Sequence, residues 1–170
     1  SDKSKNMIAE FAVLNMNSNY RVLTFLGNPF IETQTSYFHK SIGGYHGAKL
    51  KRYQELIDFY ILDEYKNWNP NQNSPILNML NTKYFVYPID KKGNREIILN
   101  PNAYGNAWFV ENIRTVNNAD EEMLALKNID TRNTAVVDKD FKNVKAPKNV
   151  DSTAAIRLTK YGLNRLEYSC

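Results

Sequence analysis

Cysteine is almost missing from this chain: Cys170, its last residue, is the only one among 170. No disulfide can form within the chain, and cysteine usage leaves the redox compartment open. Histidine is nearly as scarce, with His39 and His46 alone, and their separation fits no common metal-ligand spacing. No apolar run approaches the roughly 20 residues that cross a bilayer. The opening Ser1-Asp2-Lys3-Ser4-Lys5 lacks a signal-peptide core, as it would in an exported mature protein, an excised domain or a cytosolic protein. There is no G-x-G-x-x-G, and Pro29 with Phe30 stands where a dinucleotide-binding helix would open. A nucleophile-elbow motif is absent as well.

One further absence points to something. From Thr33 through Gln54 there is no acidic residue, while Lys40, Lys49, Lys51 and Arg52 carry positive charge. Three of the seven glycines, Gly43, Gly44 and Gly47, lie in this window with both histidines. After Gly47 the apolar residues Leu50, Tyr53, Ile57 and Tyr60 or Ile61 recur at helical spacing, which predicts a helix over 48–62. A glycine-rich turn feeding a basic helix start suits an anion, because first-turn N–H groups and the helix dipole both favour negative charge. The candidate ligand-binding residues are His39, Lys40, Ser41, Gly43, Gly44, Tyr45, His46, Gly47, Lys49 and Arg52. Asn102 and Asn106, in a second glycine-and-asparagine loop, would add polar contacts to a phosphate or glycan. The plainer reading is that the glycines serve a tight turn and close packing while the lysines are solvated.

What is present suits an ordinary globular chain, with 42% hydrophobic and 24% charged residues. Eleven tyrosines and eight phenylalanines bias the core, or a groove, toward aromatics. A net charge of +4 is too mild to imply nucleic acid, and no nucleic-acid partner is expected. Met7, Ile8, Phe11 and Leu14 suit one face of a short helix, and Tyr20 to Leu26 reads as a buried strand. Ser74-Pro75 predicts a helix start with a capping hydroxyl. Lys83 to Tyr87 and Glu96 to Leu99 form an expected hairpin, and Ala107 to Val110 an expected strand. Asn118 with Glu121 predicts a capping box, followed by a strand at Thr134 to Val137. Residues 155–159 and 165–168 alternate around a turn, as a β-hairpin does.

The residues offer two enzymatic constellations. Ser36 or Ser41 with His39 or His46 and a carboxylate such as Asp58 supplies the parts of a nucleophilic site, but only if they meet in space. Asp120-Glu121-Glu122 is a carboxylate cluster that fits a helix N-terminus better than an acid–base pair.

The run Ser36-Tyr37-Phe38-His39-Lys40-Ser41-Ile42-Gly43-Gly44-Tyr45-His46-Gly47-Ala48-Lys49-Leu50 resembles the extracytoplasmic part of YfhO-like bacterial membrane proteins of the Bacteroides type. Matching pieces follow in order: Tyr20 to Leu23, Leu77 to Phe85, Asn100 to Val110 and Ala119 to Glu122. The resemblance implies a polytopic parent classed with glycosyltransferases of the GT-C architecture, acting on polyprenyl-phosphate sugars. It places the catalytic acid in an early loop that this chain does not contain. The chain itself is then expected to be non-catalytic, to need no cofactor and no metal, and to lie at the periplasmic face of the inner membrane. Its implied partners are a lipid-linked sugar phosphate or an envelope glycan.

These readings converge on an α/β fold: a mixed β-sheet flanked by helices, with a C-terminal β-hairpin from a truncated β-rich module. The expected organisation is an α/β domain over 1–141, a linker over 142–153 and the start of the β-rich module over 154–170. Three functions follow as alternatives: an accessory domain positioning a donor phosphate or glycan acceptor, a structural or protein-interaction domain without a ligand, and a free-standing enzyme using the histidine-bearing loop.

Overall fold

The strand expected from Tyr20 forms as β1 (Arg21–Thr24), and a sheet is built around it. The computed structural model describes residues 19–92, 94–142, 144–145, 151 and 153–170. The helix expected over Met7 to Leu14 lies outside the described residues, as does much of the expected linker. Contacts gather the chain into two units. The first runs to Ala48 and resumes over Leu80–Ala103; the second comprises Lys49–Met79 and Tyr104–Cys170.

In the first unit, β1 pairs in parallel with β2 (Thr82–Pro88), which pairs antiparallel with β3 (Arg95–Leu99). The sheet is therefore mixed, as expected. Register sets Leu23 beside Phe85 and Val86 beside Ile97. Val22, Leu23 and Ile42 are wholly buried, and each such side chain contributes about 1.5–3 kcal/mol. Tyr20 meets Tyr84 edge-on at 5.0 Å, the geometry that aromatic quadrupoles favour. Asn81 takes a positive φ of 56°, which asparagine tolerates, and its amide donates to the Asn19 carbonyl at 2.8 Å. A short helix, α1 (Gln34–Phe38), buries no residue of its own.

The second unit opens on one continuous helical stretch in three parts: α2 (Lys51–Leu56), a π-helical turn (Ile57–Ile61) and α3 (Leu62–Lys66). It begins and ends later than the apolar spacing predicts. The π turn, closed by the Leu62 N–H on the Ile57 carbonyl, changes the periodicity so that Leu56, Ile57 and Ile61 are buried. Then α4 (Pro75–Met79) buries Ile76 and Leu77.

The expected strand at Ala107 to Val110 does not form. The chain there is irregular, and the strand starts later as β4 (Asn112–Val116). β4 pairs in parallel with β5 (Thr134–Asp138), with α5 (Ala119–Ala125) between them in sequence. The Asn118 side chain accepts the Glu121 N–H at 2.9 Å, as a cap should. Glu121 reaches one residue farther back than a capping box predicts, to the Asn117 N–H at 2.9 Å. The C-terminal hairpin forms from β6 (Arg157–Tyr161) and β7 (Leu166–Ser169). Among the described residues, no helix is long and apolar enough to cross a membrane.

Candidate functional site

The glycine-rich run begins as an edge of the first unit's sheet. The Val22 N–H donates to the Lys40 carbonyl at 2.9 Å, and the Ile42 N–H returns to the Val22 carbonyl at 3.0 Å. Gly43 then passes so close to Pro29 that a Cβ would lie 1.9 Å from its carbonyl oxygen. Gly44, at φ +108°, donates its N–H to the same carbonyl. Both glycines thus have a structural reason, one of close approach and one of backbone conformation. At Gly47 a Cβ would meet nothing within 4 Å.

The remaining candidates divide between the units. His39, Lys40, Ser41, Gly43, Gly44, Tyr45, His46, Gly47 and Asn102 belong to the first; Lys49, Arg52 and Asn106 belong to the second. His39 is buried, and desolvation holds its imidazole pKa below the usual range, favouring the neutral ring. His46 is exposed, and its Nδ1 accepts the Ala48 N–H at 3.1 Å. Ser41 Oγ accepts the Gly43 N–H, and the Ser36 hydroxyl donates to the Thr33 carbonyl. Asp58 accepts from Gln54 in the second unit. The serines, therefore, serve local backbone turns. The Asn102 N–H is taken by Asn100 Oδ1 at 3.0 Å, and the Asn102 and Asn106 residues are exposed.

Arg52 has partners within the second unit. Its guanidinium pairs with the Glu122 carboxylate and donates to the Ala119 carbonyl at 3.0 Å. The other oxygen of Glu122 accepts the Asp138 N–H at 2.9 Å. Glu122 thus ties α2, α5 and β5 together, and the acidic cluster at 120–122 has a structural use. Among the described residues no group of three acidic, histidine or cysteine side chains could hold a metal ion.

A different site lies within the second unit, and it was not legible as a motif. Tyr53 and Leu56 of α2, Met123 of α5 and Ala135 with Val136 of β5 line a hollow of about 550 Å3. Trp108 and Val110, from the segment expected to be a strand, complete it. That volume falls in the range of small-molecule sites, which are mostly apolar with a few placed polar groups. Arg52 and Glu122 also line it, paired with each other. Trp108 packs edge-on against Tyr104 at 5.0 Å, and Arg132 sits over the Tyr104 ring at 5.1 Å. The indole N–H of Trp108 is buried without an acceptor among the described residues.

No protein-family model matches the chain, and neither a curated protein nor a solved structure matches it. The YfhO-like resemblance therefore rests on the ordered pieces of sequence alone. Sequence reasoning missed the hollow because its walls come from segments far apart in the chain, α2, the end of α4, Trp108 with Val110, α5 and β5 among them. Only the spacing of Tyr104 and Trp108, four residues apart in a segment that also holds Phe109 and Val110, could have signalled it.

Proposed function

We propose that this chain is a non-catalytic, extracytoplasmic binding domain of a polytopic YfhO-like membrane protein. Its role is accessory to glycosyl transfer, holding a polyprenyl-phosphate sugar donor or a glycan acceptor for a catalytic centre elsewhere in the parent. The observation that carries the binding function is the apolar hollow of the second unit, walled by α2, α5, β5 and Trp108. Polar side chains that would serve chemistry are engaged in structure instead: Glu122 with Arg52 and Asp138, Glu121 with Asn117. The hairpin favours a second reading, a protein-interaction domain, because Tyr161, Leu163 and Leu166 expose apolar surface on it.

Calorimetric titration with a short-chain polyprenyl-phosphate sugar, paired with a product assay, tests the main reading. Binding without turnover is expected. Sustained turnover by this chain alone would overturn the non-catalytic assignment, and no binding of lipid, phosphate or glycan would leave the interaction reading. Location is tested in the parent protein. Cys170 is exposed and should react with a membrane-impermeant maleimide added outside intact inner membranes.

A further inference from the structure

We propose that the C-terminal hairpin is a docking element for an anionic lipid surface, laying its apolar face and its tip into the headgroup layer. This goes beyond the binding-domain reading and makes no use of the hollow. The hairpin is two-sided because of one irregularity. Leu158 pairs with Tyr168 and Tyr161 with Leu166, while Lys160 pairs with Glu167, and the register shifts between Leu158 and Lys160. Side chains alternate along a strand, so the extra residue, Thr159, sets Leu158 and Tyr161 on one face where a regular strand would oppose them. Leu166 and Tyr168, two apart, share that face. Arg157, Lys160 and Glu167 take the other, where Glu167 meets Lys160 at 3.7 Å and Arg165 at 3.1 Å. At the turn the Gly162 N–H donates to the Arg165 carbonyl at 2.8 Å, which holds Leu163 at the tip, wholly exposed.

Two observations select a lipid surface. The first is size. No residue of either strand is buried, and the strands are only five and four residues long. At about 3.3 Å per residue and about 4.8 Å between strands, the face is on the order of 150–200 Å2. A stable protein partner needs about 800 Å2 on each side. A lipid layer needs no matching recess, and every apolar side chain that enters it contributes by itself. Tyrosine suits that boundary, because its ring is apolar while its hydroxyl stays wet. The second observation is charge. Arg157, Lys160 and Arg165 stand against the single acid Glu167, so residues 157–169 carry a net two positive charges. With the apolar face on a membrane, these cations lie within about 10 Å of the headgroups, where anionic lipid attracts them.

The test is co-sedimentation of the full chain with vesicles of phosphatidylcholine, alone or with about one-third phosphatidylglycerol. Binding to the mixed vesicles is expected, with a severalfold loss on pure phosphatidylcholine or at high salt. Leu163→Asp should weaken binding roughly tenfold or more, whereas Leu163→Met should keep it. Lys160→Gln with Arg165→Gln should weaken it more than Lys91→Gln with Lys92→Gln does. In a Cys170→Ser chain, an environment-sensitive dye on Leu163→Cys should shift to the blue with the mixed vesicles. Equal losses from the two charge pairs would mean diffuse attraction and overturn the assignment to the hairpin. Normal binding by Leu163→Asp, or no binding to either vesicle, would overturn it as well. So would a dimer in free solution that Leu163→Asp abolishes, which would give the face to a second copy. Ligand titration of the hollow is independent of each of these outcomes.

Discussion

The carboxylate of Glu64 accepts the backbone N–H of Ile76 at 2.9 Å, and its second oxygen accepts that of Leu77 at 3.0 Å. Glu64 thereby caps α4 from another helix, taking the two first-turn amides that a capping Ser74 hydroxyl would have served. The cap predicted from Ser74-Pro75 is in the right place but is made by a different residue. Glu64→Ala should cost about 1–2 kcal/mol, while Ser74→Ala should cost well under 1 kcal/mol. Urea denaturation of both variants checks this. A larger loss from Ser74→Ala would return the cap to the serine.

The same carboxylate gives a pH dependence. Burial raises the Glu64 pKa above the ordinary carboxylate value, outweighing the two amide hydrogen bonds that lower it. A raised folded-state pKa means the folded protein holds this proton more tightly than the unfolded chain. The associated stability is complete below the ordinary carboxylate range and is lost as pH rises through the folded pKa. The stability difference between the wild type and Glu64→Gln should therefore shrink as pH is raised from about 4 to 7. A difference that grows over that range would reverse the sign assigned to Glu64.

His39 works in the opposite sense. Its lowered pKa favours the neutral ring in the folded state, so its contribution is whole above the ordinary imidazole pKa of about 6.5 and is lost as pH falls from there through the lower folded-state pKa. Between pH 7.5 and 5.5 the wild type should lose more stability than His39→Gln. Equal losses would show that His39 carries no such linkage.

Gly43 and Gly47 should behave differently although they stand in one run. Gly43→Ala places a methyl against the Pro29 carbonyl and should cost about 2 kcal/mol or more. Gly47→Ala meets open space and should leave stability unchanged or raise it by up to about 1 kcal/mol. Thermal denaturation of the two variants decides it; equal losses would mean that the whole run is packed.

Arg52 and Glu122 should couple weakly, because both side chains are partly exposed. A double-mutant cycle with alanine should give about 0.5–1 kcal/mol at low salt, shrinking at high salt. Coupling that is independent of salt would point to packing in place of charge.

Much of the first unit was legible because its signals are local. The β-rich apolar runs Tyr84 to Tyr87 and Ile97 to Leu99, with a turn between, mark both strands as a hairpin. The capping Asn118 was legible for the same reason. Ala107 to Val110 failed because an aromatic run reads alike whether it fills a strand or walls a hollow; the partners that decide lie in distant segments. β4 was missed because Asn112 and Arg114 dilute its apolar content, and its pairing with β5 is set after α5 intervenes. The basic window was visible as composition, yet composition could not reveal that Arg52 already has a carboxylate partner.

The parallel pairing of β1 with β2 joins residues about 60 positions apart in the chain. At the usual pace of synthesis, roughly 5–20 residues per second, Arg21–Thr24 waits on the order of 3–12 s for its partner strand to be made. During that interval Val22 and Leu23 are an apolar edge open to any passing strand. Lys40 to Ile42 is synthesised much sooner and already carries the hydrogen bonds that fit Val22. The glycine-rich run would then be the first neighbour to arrive, holding one edge of the nascent strand for good while Thr82–Pro88 comes later to take the other.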